Sequence, residues 1–296
     1  MKNIGVIGLG NMGIGLSSNL LKAGFNLTGF DLQRERLAML KELGGTAASS
    51  IAEAGKNSEV VFVMVLNGQQ VQSVVLGENG LLDSMSAGSC IIVSATIKPS
   101  EIEVLIDPLK ERGIHLIDSP VSGGKSGADN GTLTMMVAAS EEDFSAQHDV
   151  FEAVGKNIYH VGTRAGQGQT VKGALQALIG SSFTAIFEAF VLGTKAGADP
   201  RKLYEVFCSS GVGSNLLKDC GELILQRKFE KTGSHIGTMY KDLGISMSMA
   251  RENGCAMFTT SAAYELFQSG ISMFPKEDNW SIVKLLEQIA GTEVKG

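Results

Sequence analysis

The sequence predicts an α/β chain in two parts: a doubly wound, mostly parallel sheet over residues 1–162, then an all-helical part over residues 163–296. Three observations carry this expectation. Short apolar runs that read as strands alternate with helical periodicities up to about Gly162. A glycine-rich turn follows the first run without a spacer. Beyond Gly166 only helical periodicity remains.

The first run, Ile4 to Ile7, passes straight into Gly8-Leu9-Gly10-Asn11-Met12-Gly13, a GxGxxG between strand and helix. Gly8 permits the tight turn, and Gly10 removes the side chain that would keep a pyrophosphate away. Gly13 lets the helix sit close on the strand, and the helix N-terminus offers free N–H groups and a partial positive charge to the phosphates. Leu16, Leu20 and Leu21 follow at helical spacing until Gly24 stops the helix. The next strand, Leu27 to Phe30, delivers Asp31, where a carboxylate reaches both ribose hydroxyls and repels the 2′-phosphate of NADP. A GxGxxG alone also occurs in structural turns. With strand, helix and acid in register it predicts a Rossmann-type NAD site.

A charged amphipathic helix is expected over Gln33 to Leu43, and the continuous apolar run Val60 to Leu66 suits a strand covered on both faces. It opens into Leu66-Asn67-Gly68. Cys90 to Ser94 likewise delivers Ala95-Thr96, and Ile114 to Ile117 delivers Asp118-Ser119-Pro120, so these loops converge where an open sheet binds its ligand. Helices are expected at Gln69 to Val75 and at Ser100 to Arg112, the second opening with Pro99-Ser100-Glu101. Strands Thr132 to Ala138 and Ile158 to Val161 flank one helix, Glu141 to Val154, and close the first part near Gly162. The second part opens with a long helix to Ala196, with Ala174, Ala177, Ala185 and Ala189 among larger apolar residues, which reads as the spine of an all-helical domain. Further helices are read at Pro200 to Phe207, Ser214 to Leu225, Thr238 to Glu252, Ser261 to Gln268 and Trp280 to Ile289.

Composition narrows the partners. A net charge of −6 without a basic block argues against nucleic acid. Cys90, Cys208, Cys220 and Cys255 stand far apart with no CxxC, so reduced cytoplasmic thiols are expected rather than disulfides or zinc. His115, His148, His160 and His235 are equally dispersed, and none is expected to serve as a metal ligand or catalytic base. No secretory signal is read at the start. The apolar stretch Gly173 to Phe187, fifteen residues between Lys172 and Glu188, reads as a core helix too short for a membrane span.

Four stretches, in order over almost the whole chain, resemble the β-hydroxyacid dehydrogenase family, which includes 3-hydroxyisobutyrate dehydrogenase, tartronate semialdehyde reductase and L-threonate dehydrogenase. They are GLGNMG at Gly8, DSPVSGGKSGADNGTLTMMV at Asp118, GQGQTVKGALQ at Gly166 and KDLGISMSMA at Lys241. The resemblance implies that Lys172 is the catalytic acid/base and that Ser122-Gly123-Gly124 holds the substrate carboxylate. It also implies that Lys241 lies near the nicotinamide and that Leu66, Asn67 and Thr96 line the cofactor. The residues themselves fit: Ser122 offers a hydroxyl, and two glycines expose N–H groups to an anion. Lys172 falls about one turn into its helix, where the macrodipole and an NAD⁺ ring both lower a lysine's pKa toward proton exchange at neutral pH. The ordinary alternatives are a surface Lys172 and a surface pair of Lys241 with Asp242.

The family writes Lys-x-x-Asn-Asn where this chain has Lys172, Leu175 and Gln176. Gln176, at i+4, shares the lysine's face and keeps hydrogen-bonding capacity for substrate. Leu175 loses it. The expectation is therefore an NAD-dependent dehydrogenase of a small 3-hydroxy acid, bound in a cleft between the two domains, without a metal and as a homodimer or homotetramer. Two alternatives stay open. One is an NADPH-dependent reductase of semialdehydes or glyoxylate, with Arg34 and Arg36 taking a 2′-phosphate. The other is a dinucleotide-binding module without activity.

Overall fold

In the computed structural model, which describes residues 2–296, the chain forms two compact units, one ending at Lys172 and one beginning at Gly173. The first unit starts as β1 (Asn3–Ile7), α1 (Asn11–Lys22), β2 (Asn26–Phe30), α2 (Arg34–Glu42), β3 (Thr46–Ala47), α3 (Ile51–Lys56) and β4 (Val60–Val63). It continues with α4 (Gly68–Leu76), α5 (Leu81–Ser84), β5 (Cys90–Val93), α6 (Pro99–Glu103), α7 (Ile106–Glu111) and β6 (His115–Asp118). Then come β7 (Val121–Ser122), α8 (Gly124–Asn130), β8 (Leu133–Ala138), α9 (Glu141–Ala146), α10 (His148–Val154) and β9 (Gly155–Gly162).

The strands join in the order β3-β2-β1-β4-β5-β6-β8-β7, with β9 paired to β8. Pairing is parallel from β3 through β6 and antiparallel where β6 and β7 meet β8. The order reverses beside β1, which opens a crevice at the carboxyl ends of β1 and β4. Helices cover both faces, so β4 and β5 need apolar residues at every position. Val60, Phe62 and Ile92 enter one core with Leu16, Leu20 and Phe151, while Val61, Val63 and Ile91 enter the other with Val71, Val75 and Ile102.

Two expected helices are broken. Ser100 to Arg112 divides into α6 and α7 around Val104 and Leu105. Pro108 has no N–H, and its ring conflicts with the carbonyl four residues earlier, that of Val104. Glu141 to Val154 divides at Gln147, whose φ of −109° and ψ of 11° leave the helical region. The histidines are also less scattered than their spacing implies. His160 stacks on Phe144 at 4.5 Å, His148 meets the same ring edge-on at 5.9 Å, and His115 pairs with Asp143 at 2.7 Å, all around α9. His235 instead caps a helix, its Nδ1 accepting the Gly237 N–H at 3.0 Å.

The long helix α11 (Gln167–Lys195) crosses from the first unit into the second, which adds α12 (Pro200–Ser209), α13 (Asn215–Leu225), α14 (Ile236–Glu252) and α15 (Phe258–Met273). A 3₁₀ turn (Asn279–Ser281) and α16 (Ile282–Ala290) complete it. The inward face of α11 is mainly phenylalanine, with Ala177 buried as well. Phe183, Phe187 and Phe190 join Leu243, Phe267 and Trp280 in one core, and Ala174 and Ala185 are exposed. Large rings fill the space between helices, where alanines would leave voids. The expectation of a short apolar stretch is corrected as well: α11 has 29 residues and a window of mean hydropathy 1.6, which meets the length and composition of a membrane span. Charged residues at its ends do not shorten the apolar window, and 44% of that window is buried inside the protein itself.

Candidate cofactor and substrate site

The glycine turn joins β1 to α1. Gly8 has φ +91°, and a Cβ there would collide with the Met64 carbonyl. A Cβ at Gly13 would collide with the carbonyl of Gly8, so both positions exclude larger residues for internal reasons. Gly10 differs. Its φ of −60° suits any residue, and a Cβ there would meet nothing within 4 Å. The space above Gly10 therefore serves no packing need, and it is the space a pyrophosphate requires. The first turn of α1, from Asn11 through Ile14, holds no acidic residue and no side-chain cap, which leaves its leading N–H groups toward that space.

Asp31 stands one residue past β2 and half-buried. Its Oδ2 accepts the Leu9 N–H at 2.7 Å and its Oδ1 accepts the Gln33 N–H at 2.8 Å, so the carboxylate fixes the glycine turn. Leu9 itself turns its side chain into the core. Arg36 Nη2 lies 3.5 Å from Asn11 Oδ1 at the rim of the same turn. At the end of β4, Leu66 is 70% exposed and Asn67 caps α4 by accepting the Gln70 N–H at 2.9 Å. Thr96 is half-buried beyond β5.

The Ser122-Gly123-Gly124 segment runs from β7 into α8. Gly123 and Gly124 have φ of +128° and +58°, so two left-handed residues in succession turn the chain into the helix and leave both glycines exposed. Sequence reading missed α8, because Lys125-Ser126-Gly127-Ala128-Asp129-Asn130 has weak helix propensity and no apolar stripe. Tertiary packing forms it. A Cβ at Gly15 of α1 would sit 2.7 Å from the Ala128 backbone, and buried Asn19 donates to the Gly15 carbonyl at 2.9 Å and the Ala128 carbonyl at 2.7 Å.

Lys172, in the second turn of α11, is 6% exposed and is no surface lysine. One turn before it sits Gln169, fully buried, and beside that turn lies Asp118, the fully buried last residue of β6. Asp118 Oδ2 accepts the N–H groups of Gly166 at 2.8 Å and Gln169 at 3.1 Å, and Oδ1 accepts the Gln169 side-chain amide at 2.9 Å. Burial pushes the Asp118 carboxyl up to about 6, against the lowering pull of these hydrogen bonds. The same Gln169 amide donates to the Ala95 carbonyl at 3.0 Å and accepts the Ile97 N–H at 3.0 Å. Sequence reading placed Asp118 only at the head of a loop converging on the ligand and did not single out Gln169. The available signal was an acid closing an apolar strand, where a buried charge needs several donors.

In the second unit, Gln176 and Lys241 meet at one carboxylate. Gln176 Nε2 donates to Asp242 Oδ2 at 2.5 Å, and Lys241 Nζ lies 2.7 Å from Asp242 Oδ1. Asp242 is 3% exposed, so this is not the solvated surface pair that ordinary lysines form. Leu175 is half-buried. Among the described residues, no three His, Cys, Asp or Glu side chains are arranged to hold a metal.

Comparison with known proteins accounts for both halves of the chain. Residues 3–162 match the NAD binding domain of 6-phosphogluconate dehydrogenase, and residues 166–286 match the NAD-binding domain of NADP-dependent 3-hydroxyisobutyrate dehydrogenase. L-threonate dehydrogenase of Cupriavidus necator is 36% identical over 289 residues, covering 97% of each chain. The 2-hydroxy-3-oxopropionate reductase of Escherichia coli is 33% identical, covering 97% of this chain and 98% of its own. A crystal structure of 3-hydroxyisobutyrate dehydrogenase from Salmonella typhimurium superposes with a TM-score of 0.88 at 29% identity, covering 96% of this chain and 100% of its own. With its NAD-binding first half and helical second half, the chain belongs to the β-hydroxyacid dehydrogenase family of NAD(P)-dependent oxidoreductases.

Proposed function

We propose that this protein catalyses the reversible, NAD-dependent oxidation of a small 3-hydroxy acid of the L-threonate or 3-hydroxyisobutyrate type, with Lys172 as the acid/base. The observation that carries the reading is Lys172 itself, a lysine 6% exposed and one turn beyond Gln169, which a buried aspartate at the end of the sheet holds. Its burial holds the amine out of bulk water, beside the turn that Asp118 and Gln169 fasten. The space above Gly10, the bare first turn of α1 and the Asp31 carboxylate fit NAD, with Leu66, Asn67, Thr96 and Lys241 as its further lining. NAD, when bound, supplies the hydride acceptor. Ser122, Gly123 and Gly124 anchor the substrate carboxylate through a hydroxyl and backbone N–H groups. Gln176, oriented by Asp242, contacts the remainder of the substrate. Neutral Lys172 takes the hydroxyl proton as the carbonyl forms, and returns it in the reductive direction. The boundary between the two domains is drawn at Gly162, where β9 ends.

A second reading, an NADPH-dependent reductase, is supported by Arg36 at the rim of the glycine turn and by the similarity to a reductase. Self-association as a dimer or tetramer is supported by exposed Leu178 and Leu192 on α11, and a cytoplasmic setting fits four free cysteines. Reduction of NAD⁺ and NADP⁺ measured against L-threonate, 3-hydroxyisobutyrate, L-serine and glycerate tests the proposal. NAD⁺ reduction with at least one of these acids is expected. Activity confined to NADP(H) would select the second reading, and no turnover with either cofactor would overturn both.

A further inference from the structure

We infer that the buried pair Asp118–Gln169 is a positioning clamp that aims the Lys172 amine, and that it does so by tying the first turn of α11 to the ends of two strands. The inference rests on the acid/base reading of Lys172. Asp118 belongs to the sheet: it pairs with Val93 of β5 and with Ala138 of β8, so its backbone cannot follow a moving helix. From that fixed point its carboxylate accepts two backbone N–H groups of the α11 start, 48 and 51 residues further along the chain. A carboxylate contributed by a strand thus does for α11 what an N-cap residue does locally.

Gln169 completes the clamp. It precedes Lys172 by one turn, on the same face of the helix. Its amide is used at both ends, donating to Asp118 and Ala95 and accepting from Ile97. Ala95 and Ile97 flank Thr96, so the loop expected to line the cofactor, the strand that leads into the substrate loop and the lysine helix share one pair of side chains. Close packing leaves little slack. A Cβ at Gly168 would stand 2.6 Å from the Met136 carbonyl and 2.9 Å from the Asp118 carbonyl, so the turn rests directly on the strand ends.

The donor and acceptor pattern allows no substitute. Three N–H donors converge on two carboxylate oxygens, and an asparagine would point its own N–H₂ at one of them. The turn must then shift by tenths of an ångström. A displacement of that order at the reacting group lowers the rate by roughly 10²-fold without removing any group that touches substrate.

The test is a cycle built from Asp118→Asn and Lys172→Ala, assayed with whichever acid of the panel is oxidised fastest. Asp118→Asn alone is expected to lower kcat about 10²-fold, while KM and the NADH affinity read by fluorescence stay within about threefold. In the Lys172→Ala background the same change should alter the residual rate by less than about threefold, because the group being aimed is gone. Equal proportional losses in both backgrounds would overturn the clamp, as would a normal rate in Asp118→Asn. If Asp118→Asn does not fold, Gln169→Met keeps the aspartate cap and removes only the amide, and the same masking is expected from a smaller, roughly tenfold loss. Near-normal activity in Lys172→Ala alone would overturn the acid/base reading, and the clamp with it. A dead Lys172→Ala beside an unaffected Asp118→Asn would overturn the clamp only.

Discussion

Asp31 and Asp118 occupy matching places in the first unit, each at the carboxyl end of a parallel strand and each accepting backbone N–H groups. They differ in what closes over them. Asp31 is half-buried and holds only its own neighbourhood, the Leu9 turn and Gln33. Asp118 is sealed, accepts from three donors, and reaches a helix that begins about fifty residues later. Both carboxylates bind the protein's own backbone, and exposure separates them: half-buried Asp31 keeps a solvent-facing side, the one the proposed ribose contact uses, whereas Asp118 has none.

Four substitutions break or sharpen that contrast. The largest effect is expected at the residue the sealed aspartate serves. Lys172→Arg keeps the positive charge but cannot release a proton at neutral pH, so kcat should fall by about 10² to 10⁴ with NAD⁺ affinity nearly unchanged. Steady-state rates beside NADH fluorescence titration check this, and turnover within a few-fold of wild type would remove Lys172 as the base. Next comes the loop downstream of Asp118. Gly123→Val places a branched residue at φ +128°, a strain that should lower kcat/KM by about 10- to 100-fold while NADH binding survives. Loss of binding and turnover together would make that loop structural.

The exposed member should give a smaller and more selective change. Asp31→Ala removes a repulsion toward a 2′-phosphate together with hydrogen bonds to the ribose, so the preference for NAD⁺ over NADP⁺ should fall about tenfold. Because Asp31 also holds Leu9, both affinities are expected to drop somewhat. Only the ratio reports on the ribose, and an unchanged ratio would refute its role there. The smallest effect is thermal. The Asp118 carboxyl is raised to about 6 in the folded chain, above its unfolded value of 3.8, so the stability it contributes is complete below about 3.8 and lost as pH rises through 6. Asparagine does not titrate. The Tm of Asp118→Asn relative to wild type should therefore move in the variant's favour by about 2–4 °C between pH 5 and pH 7.5. A constant difference in calorimetric scans would mean that the buried group does not titrate in that window.

The same contrast explains how much was legible in the sequence. Asp31 could be read because its partners are local: strand, glycine turn, helix and acid fall within thirty residues, and each spacing has a fixed geometric meaning. The helical second unit was legible from periodicity alone. The bonds made by Asp118, Gln169 and Asn19, and that from Gln176 to Asp242, were not, since each joins partners distant in the chain and no local pattern marks a buried hydrogen bond. The short helix α8 was invisible for a related reason. Its small, polar residues become helical only when Gly15 and Asn19 of α1 receive them. The break at Val104 was readable in principle, because Pro108 was in plain view.

The docking of α8 on α1 has a consequence for how such an enzyme diversifies. The helix proposed to receive the dinucleotide and the helix after the proposed substrate loop touch at Gly15 and Ala128 without room for a methyl group on Gly15, and Asn19 fastens the contact. A lineage cannot remodel that seam to admit a new substrate without disturbing the cofactor helix. Variation is left to positions outside the seam, such as Leu175, Gln176 and the exposed Lys125 and Ser126. A mutant library aimed at new hydroxy acids should randomise those four positions and keep Gly15, Asn19 and Ala128 constant.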